Sequence, residues 1–282
     1  MVITDGAWGT EFQKRGLAIG EPADVWNLTR PADVEAVARS YVEAGSMVIL
    51  TNTFRSNPVA LSAVGQAAQA VAINRRGAEL SKQQADGGVR VFASLGPTGK
   101  VMATGEIDEQ RVTDGFRIQA EALASGGADV LLFETFSDVE EARLAVRVAR
   151  PTGLPIIVSF AFDSGKNKDR TMMGVTPETA ALAMVEEGVD AIGANCGAGP
   201  ESFSRICRRL KAASGLPVWI KPNAGIPALE AGQAVYTMTP DAFAGYLPAL
   251  VESGASFIGG CCGTNPEFIR ALVRAAAACA FS

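Results

Sequence analysis

Three cysteines carry most of the chemistry available to this sequence. Cys196 lies in GANCGAG, and Cys261 and Cys262 lie in GGCCGTN 65 residues further on, each segment rich in glycine. The chain has 282 residues, five cysteines and no histidine. Without imidazole there can be no Ser-His-Asp or Cys-His nucleophile pair, no HExxH zinc site and no histidine general base. An odd cysteine count in a long chain without a signal-like leader argues against a disulfide framework. Three readings of the trio remain: small buried apolar side chains, a redox set, or three ligands of one metal ion. Neighbours in a regular strand point to opposite faces, so Cys261 and Cys262 can share an ion only where the backbone leaves the strand. Gly259, Gly260 and Gly263 supply that freedom. The other two cysteines, Cys207 and Cys279, fall within helical stretches and read as buried apolar side chains.

Three thiolates and no imidazole favour a soft or borderline ion such as Zn2+, and three protein ligands leave the fourth position open, as in catalytic zinc sites. Three thiolates around Zn2+ give a net charge of −1, which makes the ion a poor activator of water. The same charge suits a substrate thiol that joins as a fourth thiolate and stays electron-rich. A free thiol is only a few per cent ionised near neutral pH, so holding it as thiolate adds about one to two powers of ten of reactive species. The chemistry implied is S-alkylation.

Short apolar runs at residues 2–4, 47–51, 89–94, 129–133, 156–161, 191–194, 218–221 and 256–260 read as strands buried on both faces. Amphipathic stretches at 31–44, 58–85, 109–125, 138–150, 177–187, 201–213, 240–253 and 266–280 read as the helices between them. Thr176-Pro177, Thr239-Pro240 and Asn265-Pro266 each place a capping side chain before a first-turn proline. Ser137 to Glu140 fits a capping box. Eight such units without a composition break predict a single (β/α)8 TIM barrel over residues 1–282, with its site at the C-terminal strand ends. Those ends present Asp5, Asn52, Glu134, Asn195-Cys196, Asn223 and Cys261-Cys262. With 25 Lys/Arg against 30 Asp/Glu the net charge is −5, so nucleic acid is not expected as a partner. No apolar run approaches the roughly 18 residues of a membrane span, and a cytoplasmic location is expected.

At these residues the chain resembles the homocysteine S-methyltransferase family. The resemblance is carried by DGAWGTEFQKRG (5–16), EAGSMVILTNTF (43–54), FETFSDVEEA (133–142), GANCGAGP (193–200), KPNAGIP (221–227) and GGCCGTNPEFI (259–269). It implies a (β/α)8 barrel in which Cys196, Cys261 and Cys262 bind zinc and homocysteine attacks a methyl donor to give methionine. It further implies that Asp5 and Glu134 lie near the substrate's ammonium group, and that the loop at Gly6 and Ala7 offers backbone N–H groups to its carboxylate. Asn52 and Thr53 would line the pocket, and Asn223 can fill the fourth zinc position until substrate displaces it. KPNAGIP with GPTGK (96–100) looks most like the cobalamin-dependent methionine synthase branch. The donor stays open between a small molecule (S-methylmethionine or a betaine-like compound) and a separate methyl-corrinoid protein. Two alternatives accompany this reading: a non-catalytic thiol- or zinc-binding module serving a corrinoid partner, and a methyltransferase for another small thiol. Trp8, Trp26 and Phe54 could wall a cationic donor, though core or rim packing is the plainer role for them.

Overall fold

The computed structural model describes residues 1–18, 20–230 and 233–279. The apolar runs form the strands β1 (Val2–Ile3), β2 (Val48–Leu50), β3 (Arg90–Leu95), β4 (Val130–Phe136), β5 (Ile156–Phe160), β6 (Ala191–Cys196) and β7 (Val218–Pro222). A hairpin, β8 (Ala228–Glu230) and β9 (Gln233–Val235), precedes the last strand, β10 (Ala255–Ile258). All strands but the hairpin pair in parallel, in the order β1-β10-β7-β6-β5-β4-β3-β2. The two edges meet at a bridge between Thr4 and Val48, where the Met47 N–H donates to the Ile3 carbonyl at 2.8 Å. That contact closes the sheet into the expected (β/α)8 barrel.

The helices are α1 (Trp8–Lys14), α2 (Trp26–Thr29), α3 (Pro31–Glu43), α4 (Pro58–Ser62), α5 (Ala70–Gln84), α6 (Glu109–Ser125), α7 (Val139–Ala149), α8 (Pro177–Glu186), α9 (Phe203–Ser214), α10 (Pro240–Ala244), α11 (Leu247–Glu252) and α12 (Pro266–Cys279). Thr176 and Thr239 cap α8 and α10 by accepting from Thr179 N and Ala242 N. At α7 the cap is Asp138, which accepts from Glu140 N at 2.9 Å, and not Ser137 as the capping-box pattern suggests. The expected helix over 58–85 divides at Gly65, whose φ of +69° ends α4. The one over 240–253 divides before Pro248, which lacks the N–H a continuous helix needs. The expected helix over 266–280 is α12, and Ala280 lies outside the described residues. Cys279, in the last turn of α12, is exposed and not a core side chain, whereas Cys207 is fully buried. Among the described residues no helix is long and apolar enough to cross a membrane.

The barrel interior is filled by rings. Phe92 of β3 stacks on Trp219 of β7 with centroids 5.6 Å apart, and Phe257 of β10 packs on both. Since β3 and β7 lie on opposite sides of the barrel, this contact crosses its axis. Side chains alternate along a strand, so Ser94 and Lys221, two residues further along, also point inward, one layer above this aromatic floor. The Lys221 ammonium sits 5.6 Å over the Trp219 ring.

Candidate metal centre and substrate cavity

Above the aromatic floor opens a cavity of about 460 Å³, within the usual range for small-molecule sites of roughly 300–1,000 Å³. Its deep part is lined by Ser94, Glu134, Lys221, Cys196, Cys261 and Cys262, and its mouth by Gln13, Glu21, Phe54 and Arg55.

Cys196 ends β6 with a φ of +61°, a left-handed conformation rare for a residue with a side chain. Thr135, near the end of β4, has a φ of +65°. One amide joins these two outliers. Asn195 accepts from Thr135 N at 2.9 Å and from Ser159 Oγ at 2.7 Å, and its Nδ2 donates to Thr135 Oγ1 at 2.7 Å. Backbone strain of this kind persists only where the surroundings over-determine it, and the buried Asn195 side chain supplies the constraint.

Cys261 and Cys262 occupy the turn after β10. Gly259 and Gly260 serve here through the absence of a side chain: a Cβ on Gly259 would stand 2.0 Å from Thr4 Oγ1, and one on Gly260 2.5 Å from Thr264. Gly263 has a φ of +82°, and a Cβ there would meet the Tyr236 ring at 2.2 Å. Cys261 N donates to the Pro222 carbonyl at 2.8 Å and Ala224 N to the Cys262 carbonyl at 2.9 Å, which fastens the turn to the end of β7.

The three sulfurs lie within 4.8 Å of one another. Two of their separations, Cys196 to Cys262 and Cys261 to Cys262, are 4.0 Å. A disulfide needs about 2.05 Å, whereas sulfurs at about 2.3 Å from a tetrahedral zinc stand about 3.8 Å apart. The spacing therefore fits a shared ion. Hydrogen bonds from the Cys261 and Cys262 thiols hold Cys196 down to about 3. The same interactions push Cys262 up to about 12 and Cys261 well above its usual value. One thiolate is thus stable in the trio, and a second or third needs a cation to offset the repulsion. Asn223 donates from Nδ2 to the Gly197 carbonyl at 2.8 Å, and its buried Oδ1 has no partner among the described residues. An orphaned acceptor at the end of β7, with Cys196 among its neighbours, also fits a cation.

The other expected site residues sit as follows. Gly6, Ala7, Asn52, Thr53 and Glu134 line the cavity, and Asp5 lies behind its wall. Asp5 is fully buried; Oδ1 accepts from Lys221 Nζ at 2.5 Å, and Oδ2 from Trp8 Nε1 at 2.6 Å and Leu50 N at 2.7 Å. The Ala7 N–H is taken by Thr264 Oγ1 at 3.1 Å. Asn52 Nδ2 donates to Ala23 O and Asn27 Oδ1, and Thr53 Oγ1 to Ser94 O, so both side chains brace loops. Glu134 accepts from Ser94 through Oε1, while Oε2 has no donor among the described residues. Burial pushes the Glu134 carboxyl up, against the opposing pull of Lys221 and Ser94. Trp8 and Phe54 line the cavity; Trp26 is buried edge-on against Phe12, in the core.

Lys221, Ser94, Thr135 and Tyr236 are the residues sequence reasoning did not assign to the site. Lys221 had a readable signal, a lone charge directly after the apolar run PVWI. Tyr236 had none: its ring packs against Gly263, next to Cys262, from the segment that directly follows the unexpected β8–β9 hairpin.

Comparison with known proteins agrees with this geometry. The family model for Homocysteine S-methyltransferase matches residues 2–276. The chain is 34% identical over 299 residues to a methionine synthase of Mycobacterium leprae, covering 99% of this chain and 24% of that protein. It is 33% identical over 294 residues to a methionine synthase of Mycobacterium tuberculosis, covering 98% of this chain and 25% of that one. It therefore spans about a quarter of these relatives' length. Among solved structures, the metallated form of the homocysteine methyltransferase MmuM from Escherichia coli superposes with a TM-score of 0.80 at 24% identity, covering 97% of this chain and 96% of that one. Its oxidized form gives a TM-score of 0.79, again at 24% identity, with 97% and 95% covered; at such identity these two likenesses speak to the fold. The motif order, the cysteine trio and the match over nearly the whole length converge: the chain belongs to the homocysteine S-methyltransferase family.

Proposed function

We propose that this barrel binds homocysteine and zinc and transfers a methyl group to the homocysteine sulfur, yielding methionine. The observation that carries this reading is the trio of sulfurs at 4.0 Å spacings in the wall of a cavity that also presents Glu134 and Lys221. Cys196, Cys261 and Cys262 would hold the zinc, with Asn223 beside them. A zinc ion held there would supply the positive charge that favours the thiolate form of a substrate thiol.

The rest is the work of this chain's own groups. Glu134 turns its unpartnered Oε2 to the substrate's ammonium group while Ser94 holds Oε1. Asn195 fixes the ends of β4 and β6 so that Glu134 and Cys196 keep a constant separation. The closed aromatic floor excludes water from below, so a donor must come through the mouth between Gln13, Glu21, Phe54 and Arg55. Both a small S-methyl or N-methyl compound and a methyl group carried by a corrinoid protein fit that direction. The likeness of KPNAGIP and GPTGK to the cobalamin-dependent methionine synthase branch supports the second.

The test is to measure zinc content and then assay methionine formed from homocysteine with a panel of donors, including methylcobalamin and S-methylmethionine. Methionine from at least one donor, abolished by a chelator and restored by zinc, is expected. Zinc and homocysteine binding without methionine from any donor would reassign the barrel to a thiol-binding module, and turnover unaffected by metal removal would overturn the zinc reading.

A further inference from the structure

The deep end of the cavity contains a cation that neither the sulfur trio nor the ammonium subsite employs. We infer that Lys221 binds the α-carboxylate of the substrate and thereby selects amino-acid thiols over other thiols; the inference rests on the homocysteine reading above.

Lys221 is 2% exposed, yet it lines the cavity. An ammonium has three N–H donors, and Asp5 is its only hydrogen-bond acceptor among the described residues. Donor positions on a buried cation are costly to leave unfilled. Asp5 cannot itself meet a ligand, because both its oxygens are engaged and it lies behind the cavity wall. Its role is to hold the Lys221 charge in place. The backbone alternative for carboxylate capture is reduced, since the Ala7 N–H is committed to Thr264.

Placement supports the same assignment. In the β6–β7 ladder Lys221 pairs with Asn195 and Pro222 with Cys196, so Lys221 and Cys196 lie one register step apart on neighbouring strands, and both line the cavity. Glu134 projects from β4, separated from β7 by β5 and β6. One cavity thus offers a carboxylate, an ammonium and a sulfur cluster, carried by different strand ends. An α-amino acid with a thiol side chain presents the complementary three groups.

The experiment is calorimetric titration of the zinc-loaded protein with L-homocysteine and with 3-mercaptopropylamine, the same molecule without its carboxylate. Charge-assisted hydrogen bonds predict that the wild type prefers homocysteine by about 10- to 100-fold. In Lys221→Gln that ratio should fall to within a few-fold of unity, with zinc content and amine affinity retained. Because Lys221→Gln leaves Asp5 buried without its partner, the double variant Asp5→Asn/Lys221→Met, which removes both charges, is measured alongside and should show the same collapse. Equal losses for both thiols, or full discrimination in either variant, would overturn the inference. A wild type that binds neither thiol would instead overturn the homocysteine reading on which it stands.

Discussion

Two charged clusters share the cavity and are built on opposite plans. In the sulfur trio the groups repel once ionised, and one thiolate suppresses the ionisation of its neighbours. In the Asp5–Lys221–Glu134 cluster the protein supplies its own cation, pinned at 2.5 Å from Asp5. Full ionisation of the first cluster would take an external cation. The second is permanent, and it leaves a net single negative charge where a zwitterion would dock. Under the proposed function, the charge that depends on a bound ion would stand where the methyl group is transferred, and the fixed charge where the substrate is oriented.

Replacing one sulfur should separate the two plans most sharply. Cys261→Ser is expected to lose stoichiometric zinc and lower methionine formation by about 1,000-fold or more, with the fold intact by circular dichroism. A variant that keeps one zinc per chain and full turnover would break the distinction. Next in size, Asp5→Asn strands the Lys221 ammonium, and loss of one partner of a buried ion pair costs about 3–5 kcal/mol. Denaturant unfolding should show this loss in the apo and zinc-loaded protein alike, and adding Lys221→Met should recover much of it.

Glu134→Gln should weaken homocysteine binding by about 10- to 100-fold without altering zinc content. The pH dependence sharpens this point. Burial raises the Glu134 pKa above that of an ordinary glutamate, so homocysteine affinity should begin to fall, as pH decreases, before an ordinary glutamate would protonate. For stability the sign is reversed. A raised folded pKa means that the folded state holds the proton more tightly, so this group favours folding at low pH and loses that contribution as pH rises through the folded pKa. The wild type should therefore lose stability relative to Glu134→Gln as pH rises through that window, which parallel melts would show. The smallest effect is expected from Tyr236→Phe, which removes the hydroxyl beside Cys262 and should weaken zinc by about tenfold in competition with a chelator.

Much of this architecture could be read from residue types, and the omissions share a cause. The apolar runs placed all eight barrel strands, yet β4, β6 and β7 continue to Phe136, Cys196 and Pro222, beyond where those runs stop. Glu134 and Asn195 are strand residues that polarity hides from a hydrophobic pattern, whereas Lys221 fell within the run over 218–221 and only its place in the cavity was not read. The trio was legible because no other residue type explains cysteine in two glycine-rich turns. Asp5 was legible as a strand-end acid, but its engagement by Trp8 of α1, Leu50 of β2 and Lys221 of β7 depends on contacts that spacing does not encode. Helix α1 is short and polar, and it escaped notice because it buries only Trp8, Glu11 and Phe12.

The seam of the barrel bears on how the protein is made. Ala7 reaches Thr264 across 257 residues, and Lys221 reaches Asp5 across 216. A nascent chain on the ribosome holds Cys196 long before Cys261 and Cys262 exist, and its first strand must wait for the last before the ring can shut. Under the proposed function, capture of an ion by all three sulfurs must therefore wait until residue 262 has been made, since a chain arrested before residue 261 contains one thiol of the three.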